Sequence, residues 1–238
     1  QNAKDEVHKA LAAMTEAQIL AGIAEVISDL LYGSDNNAKK AELLQRNVVR
    51  NKKVLALKKD SWIEIIDTIL MDIYRYINQD SAEGQDILNL FFIAFNKYTG
   101  KADKNQAFTP DHIADFMCRV TDVDHTKRVL DGTCGSASLL VQAMVKELAD
   151  CRRGHTADET ARLQDMVKKQ NIYGIEVEEK AFGLAVTNML IQGDANSNIK
   201  LGSCFDKASV DFIEQADPDV ILMNPPYNAK PLGIPEKY

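Results

Sequence analysis

The chain has 238 residues, 45% hydrophobic and 26% charged, an ordinary globular composition that excludes a disordered or fibrous protein and allows one or two domains with a real core. No apolar stretch reaches membrane-spanning length and the N-terminal residues lack a basic-then-apolar leader pattern, so no membrane association and a cytoplasmic location are expected. The net charge of −7 disfavours tight binding to a polyanion by this chain alone, because such affinity comes largely from Lys and Arg at phosphates.

The first hundred residues read as helical. Thr15-x-x-Gln18 and Ser61-x-x-Glu64 have the form of capping boxes, in which the first side chain accepts a backbone N–H three residues on and the second reaches back. Each precedes apolar residues at helical spacing: Ile19, Ile23, Val26, Ile27 and Leu30, then Ile65, Ile66, Ile69 and Ile73. Ala41 to Val49 and Asp86 to Phe95 form two further amphipathic segments, with Gly33 and Gly100 as helix stops. The Phe91, Phe92 and Phe95 group reads as bundle core, and Trp62 as packing or a partner surface. The polar stretch 100–106 is the predicted boundary, giving a helical N-terminal domain over 1–103 and a second domain over 104–238. Just beyond it, Thr109 suits an N-cap and Pro110 a first helical position for a helix over Asp111 to Val120.

From here strands alternate with helices, the pattern of a largely parallel, doubly wound α/β domain with sites at the carboxyl ends of its strands. Arg128-Val129-Leu130 leads into Asp131, Gly132, Thr133, Cys134, Gly135 and Ser136, then a helix through Leu139, Leu140, Val141, Met144 and Val145. Glycines at a strand-to-helix turn allow close backbone approach to a ligand. The turn is not G-x-G-x-x-G and lacks a phosphate-loop lysine, and its acid disfavours a bound pyrophosphate. A sulfonium cofactor with an amino-acid end fits better, with Asp131 near its ammonium and the N–H groups at a helix start near Ser136 facing its carboxylate. A helical segment over Ala157 to Lys169 follows, with Arg152 and Arg153 in the turn before it.

The strand Asn171 to Ile175 ends in Glu176, whose carboxylate suits two vicinal ribose hydroxyls or, alternatively, solvent. Asn198 to Phe205 reads as a short strand and loop at the edge of a purine, with Ser203 in the loop. Last comes the apolar run Val220 to Met223, stopped by Asn224-Pro225-Pro226-Tyr227. Two prolines make that loop stiff. Asn224 and the Asn224 and Pro225 carbonyls offer acceptors beside the Tyr227 ring, a grip for a flat NH2-bearing group that points to methyl transfer onto a planar nitrogen. The alternative is a plain strand-ending turn. Cys118, Cys134, Cys151 and Cys204 are too widely spaced for C-x-x-C pairs, and His8, His112, His125 and His155 form no ligand cluster in sequence, so neither a metal site nor a disulfide framework is expected.

Taken together, these motifs resemble the methylation subunit of type I restriction-modification systems, within the N6-adenine DNA methyltransferases that use S-adenosylmethionine. The resemblance covers about residues 104 to 230 and rests on five elements in order: Phe108-Thr109-Pro110, Asp131 to Ser138, Tyr173 to Glu176, Asn188-Met189, and Asn224 to Tyr227. It departs from the family pattern at Gly132 for a proline, at Ala137-Ser138 for a Gly-Gly pair, and at Ser203 where many relatives carry an aspartate. The resemblance implies a helical N-terminal domain followed by a doubly wound methyltransferase domain. It implies cofactor contacts from Phe108, Thr109, Pro110, Asp131, Thr133, Gly135, Ser136, Glu176 and Ser203, and a catalytic loop of Asn224, Pro225, Pro226 and Tyr227. The target adenine would be flipped from the duplex and stacked on Tyr227.

The implied partners are DNA and a separate specificity subunit, with a nuclease subunit left open. Two features agree with that division: the acidic charge, and the roughly 20 residues between Ser203 and Asn224, too few for a recognition domain. A sheet of this kind also has strands to come after residue 238, so a fragment is expected. The alternatives are a single-chain restriction-methylation enzyme, a methyltransferase acting on protein glutamine or RNA, and a non-catalytic docking scaffold, which the intact Asp131, Glu176 and Asn224 oppose.

Overall fold

The computed structural model describes residues 2–32, 35–73, 109–193 and 198–225. The chain divides into two compact units, Gln1–Leu88 and Asn89–Tyr238. The predicted boundary stretch, Phe91, Phe92, Phe95, and the stops at Gly33 and Gly100 lie outside the described residues.

The first unit is helical: α1 (Asn2–Ala13), α2 (Glu16–Leu30), α3 (Asp35–Leu44), a π-type turn at Gln45–Val49, α4 (Lys52–Leu55), and α5 (Lys59–Thr68) running into a second such turn at Ile69–Ile73. Its described core centres on Leu11, Ile19 and Trp62, with Val7, Leu20, Ile23, Val54, Leu57, Ile63 and Ile66 around them, so Trp62 is a packing residue. Thr15 and Gln18 form the expected capping box. Ser61 does not form one, because α5 begins three residues earlier than such a cap would place it, with Lys58 at its N-cap position. A contact distant in sequence moves that start: Glu16 Oε1 accepts the Lys59 N–H at 3.3 Å, so a carboxylate from α2 satisfies a first-turn amide. His8 and Asp67 pair across α1 and α5. The expected Ala41–Val49 segment is split between the end of α3 and the π-type turn. Among the described residues no single helix is long and apolar enough to cross a membrane.

In the second unit the described elements run α6 (Asp111–Val120), β1 (Val129–Asp131), α7 (Ser138–Asp150), α8 (Ala157–Gln170), β2 (Ile172–Glu176), α9 (Glu179–Ile191), β3 (Asn198–Leu201), α10 (Lys207–Ala216) and β4 (Val220–Ile221). The four strands form one parallel sheet in the order β3-β2-β1-β4. The chain moves outward from β1 through β2 to β3, then returns to the other side of β1, which is the doubly wound pattern. Strand alternation sends neighbouring residues to opposite faces. Gly174 abuts Leu140 of α7, whereas Tyr173 meets Phe212 of α10 edge-on at 5.8 Å, so helices cover both faces.

Val129, Leu130, Leu140, Met144, Ile172, Ile175, Phe182, Met189 and Ile199 are buried, each large aliphatic or aromatic side chain contributing roughly 1.5–3 kcal/mol of transfer free energy. Gly174 is small for a packing reason: a Cβ there would lie 2.7 Å from Leu140 Cδ1 and 2.8 Å from Ile199 Cδ1. Thr156 and Glu159 close a capping box on α8 that the sequence reading overlooked. Arg128, at the entrance to β1, pairs with Asp217 at 2.9 Å and so ties the start of β1 to the turn before β4.

Candidate cofactor and acceptor site

Parallel pairing sets the carboxyl ends of the strands side by side: Asp131 lies opposite Gly174, Glu176 opposite Leu201, and Leu130 opposite Ile221. Beyond β1 the chain makes a tight turn whose backbone is held at several points. Asp131 Oδ1 accepts the Thr133 N–H at 2.9 Å. The Cys134 N–H donates to the Ile175 carbonyl at 2.9 Å, and the Ala137 N–H donates to the Cys134 carbonyl at 2.7 Å. Gly135 takes φ +56°, and an added Cβ there would meet nothing within 4 Å, so this backbone faces open space. Its N–H donates to Glu176 Oε2 at 2.8 Å. The other Glu176 oxygen, Oε1, accepts the Glu178 N–H at 2.7 Å.

The helix after this turn starts later than expected. Ser136 is not the helix start, because α7 begins at Ser138 with Ala137 at its N-cap position in a left-handed conformation, φ 69°. That conformation suits glycine, which explains why the resemblance places a glycine pair here. Ser136 is fixed instead by Asn188, whose Nδ2 donates to the Ser136 carbonyl at 2.5 Å from the buried face of α9. The reading of the sequence quoted Asn188 only as part of a motif and missed this role; a polar residue within the apolar run of α9 was the available signal.

Both acids are shaped by burial. Burial pushes the Asp131 carboxyl up to about 7, opposed by the Thr133 N–H and reinforced by the charge of Glu176. Glu176 is also raised by burial, and the N–H bonds from Glu178 and Gly135 pull it back. Cys134, wholly enclosed, is raised well above the usual thiol range by the same desolvation. It is a packing residue here rather than a nucleophile.

Three loops converge at Gly132. A Cβ on that glycine would lie 3.2 Å from Met223 Cε and 3.6 Å from Cys204 Cβ, so the ends of β1, β3 and β4 meet around it. Met223 and Cys204 were not expected as neighbours of the turn. Ser203 is engaged locally, its Oγ accepting the Phe205 N–H at 3.3 Å and its N–H donating to Asp206 Oδ2 at 3.0 Å. Asn224 is brought to the same end of the sheet by β4, with the Leu222 N–H donating to the Leu130 carbonyl at 2.9 Å. Its Nδ2 donates to Thr109 Oγ1 at 3.0 Å.

Thr109 is therefore not the N-cap of α6. Pro110 occupies that position, with no side-chain cap, and its carbonyl accepts the Ile113 and Ala114 N–H groups. Pro225 follows Asn224 directly, while Phe108, Pro226 and Tyr227 lie outside the described residues. At the opposite end of the sheet, Asp124, His125 and Asp150 bring potential ligand atoms within 4.8 Å of one another, an arrangement that sequence spacing did not reveal. The contacts there are those of an ion pair and a turn: His125 Nδ1 lies 2.6 Å from Asp150 Oδ2, and Asp124 Oδ1 accepts the Thr126 N–H at 2.8 Å.

Residues 85–236 match the model of the N-6 DNA Methylase family, well over half of the chain. The chain is 34% identical over 148 residues to the type II restriction enzyme and methyltransferase RM.BcgI of Heyndrickxia coagulans, covering 60% of this chain and 22% of that one. It is 28% identical over 123 residues to the type I restriction enzyme EcoEI methylase subunit of Escherichia coli, covering 50% of this chain and 23% of the relative. It thus spans less than a quarter of the length of these curated relatives. Among solved structures, a modification subunit assigned to a type I restriction enzyme of Vibrio vulnificus YJ016 superposes with a TM-score of 0.60 at 20% identity, over 85% of this chain and 39% of that one, a likeness of fold. By the family match across the α/β unit, the chain belongs to the N-6 DNA Methylase family.

Proposed function

We propose that this chain carries the S-adenosylmethionine site and the acceptor loop of a site-specific DNA adenine N6-methyltransferase, the modification component of a restriction-modification system. The observation that carries the reading is the carboxyl end of the sheet. Two buried carboxyls, Asp131 and Glu176, flank a glycine turn whose backbone faces open space, and the Asn224 loop reaches the same place through Met223. Those residues fit the cofactor: Asp131 for its ammonium, first-turn N–H groups of α7 for its carboxylate, and Glu176 for the ribose hydroxyls. When bound, the cofactor supplies an electrophilic methyl on a cationic sulfur, so the chain need not generate a strong nucleophile.

The work of the chain is positional. Asn224 Oδ1 and the Pro225 carbonyl accept from the exocyclic amine of a flipped adenine, with Tyr227 stacked on its ring, which orients the nitrogen lone pair toward the methyl. Backbone carbonyls and an amide held in place before the substrate arrives cost no reorganisation during transfer. The net charge of −7 favours recognition supplied by a basic specificity subunit. A second reading, a single chain that also cleaves, is favoured by the 34% identity to a restriction enzyme and methyltransferase.

The test is equilibrium binding of S-adenosylmethionine to this chain, followed by methyl transfer from the protein of the full reading frame with and without a specificity partner. The proposal expects binding by this chain, little transfer by it alone, and transfer by the assembly. Transfer by the full-length protein without any partner would favour the single-chain reading. No binding to the folded chain would overturn the cofactor assignment.

A further inference from the structure

The hydrogen bond between Asn224 and Thr109 joins residues 115 positions apart and ties the acceptor loop to the segment entering α6. An asparagine amide has a donor edge and an acceptor edge, and only the acceptor edge suits an aromatic amine; a flipped amide would set N–H against N–H. With Nδ2 donating to Thr109 Oγ1 at 3.0 Å, Oδ1 lies on the opposite edge of the amide. Both ends of the bond are stiff. Pro110 restricts the backbone of Thr109, and its carbonyl accepts the Ile113 and Ala114 N–H groups that begin α6. Helix α6 is anchored in turn, with Ala114 and Cys118 buried and Lys146 of α7 donating to the Cys118 carbonyl at 2.9 Å. On the other side, Pro225 restricts Asn224, and the Leu222 to Leu130 backbone bond holds the end of β4 against β1.

We infer that Thr109 is a positioning residue for methyl transfer: its hydroxyl oxygen sets the orientation of the Asn224 amide so that the carbonyl edge meets the acceptor amine. This rests on the adenine reading given above and moves Thr109 from the cofactor contacts, where the resemblance put it, to the acceptor side. A hydroxyl is required and its attached methyl is not. Serine should therefore replace threonine, and the isosteric valine should not.

The experiment compares wild type, Thr109→Val and Thr109→Ser in the full-reading-frame protein with its specificity partner, on duplex DNA carrying the recognition site. Cofactor dissociation constants and single-turnover methylation rates at saturating cofactor are measured on the same preparations, with N6-methyladenine identified by mass spectrometry. Thr109→Val is expected to transfer at least tenfold more slowly with its cofactor dissociation constant within twofold of wild type, and Thr109→Ser is expected to restore most of the rate. Retained cofactor affinity shows that the valine variant is folded. A rate unchanged in Thr109→Val overturns the inference while leaving the function standing. A tenfold loss of cofactor affinity with a normal saturated rate also overturns it and returns Thr109 to the cofactor. If wild type forms no N6-methyladenine, the functional reading fails and the inference falls with it.

Discussion

Glu176 Oε2 accepts the Gly135 N–H at 2.8 Å, so the carboxylate at the end of β2 holds the glycine turn at the end of β1. Its second oxygen holds the Glu178 N–H, and the Gly202 N–H donates to its backbone carbonyl at 2.9 Å. One residue thus fixes the loops after three neighbouring strands before any ligand is present. Glu176→Ala removes two acceptors from part-buried N–H groups and, on the cofactor reading proposed above, the ribose contact. It is expected to weaken S-adenosylmethionine binding by about 1–3 kcal/mol, roughly fivefold to over a hundredfold. Calorimetry on a folded variant checks this, and unchanged affinity would remove Glu176 from the site.

On the proposed reading, Asp131 should make S-adenosylmethionine binding depend on pH. Its carboxyl is held up to about 7 by burial, so below that value it is mostly neutral and attracts an ammonium weakly. Affinity should therefore rise as pH increases through about 7 and then level off. Stability of the ligand-free chain runs the other way. A carboxyl raised in the folded state contributes stability that is present at low pH and is lost as pH rises from the ordinary carboxylate range through about 7. Asp131→Asn should flatten the binding profile and reduce the stability slope below about pH 7, and binding titrations with denaturation midpoints between pH 5 and 9 measure them. A binding profile unchanged in the variant would contradict the assignment.

The two glycines near the site should fail for different reasons. Gly135→Ala meets nothing within 4 Å, so its cost is the left-handed backbone alone, about 1–2 kcal/mol. Gly174→Ala drives a methyl to 2.7 Å from Leu140 Cδ1, and overpacking of that kind costs roughly 1–3 kcal/mol or more. Combining Gly174→Ala with Leu140→Ala should cost less than the sum of the two single changes, because one of the two clashing atoms is removed while Ile199 Cδ1, at 2.8 Å, remains. No comparable rescue is expected for Gly135→Ala, and denaturant unfolding of the variants checks both.

Glu147 lies in the core beside Asn171, whose Nδ2 donates to Glu147 Oε2 at 2.8 Å and to the His125 carbonyl at 2.9 Å. Burial pushes this carboxyl up to about 9, with Asn171 opposing the shift and Asp124 and Asp150 adding to it, so it is neutral in the folded protein at pH 7. The folded state then holds a proton that the unfolded chain has released, and stability should fall as pH rises from the ordinary carboxylate range to about 9. Glu147→Gln should remove that slope. Denaturation midpoints between about pH 7 and 9, above the range in which Asp131 titrates, measure it, and a slope there that survives the substitution would place its origin elsewhere.

Local features of the sequence were readable where the chain is its own context. The apolar runs before Asp131, Glu176 and Asn224 gave the strands, and Thr15-x-x-Gln18 gave its cap, because period and capping act within a few residues. Ser61 misled because a carboxylate from Glu16, 43 residues away, satisfies the Lys59 amide and starts the helix early. Pro110 misled in a smaller way: Thr109 had a distant partner in Asn224 and did not cap its own helix. Asp131 and Glu176 were legible as strand-end acids, but the bonds of Glu176 to Gly135 and Asn188 to Ser136 depend on sheet register and helix packing, which no local pattern encodes.

The most direct measurement follows the methyl group. The full-reading-frame protein with the proposed specificity partner is incubated with S-adenosylmethionine labelled in the transferred methyl and with DNA, RNA and protein offered together, and the products are digested and read by mass spectrometry. The account predicts the label on N6 of deoxyadenosine, absent with Asn224→Ala although that variant still binds the cofactor. Label on glutamine, on an RNA base or on another deoxynucleoside, or undiminished adenine methylation by Asn224→Ala, would contradict it.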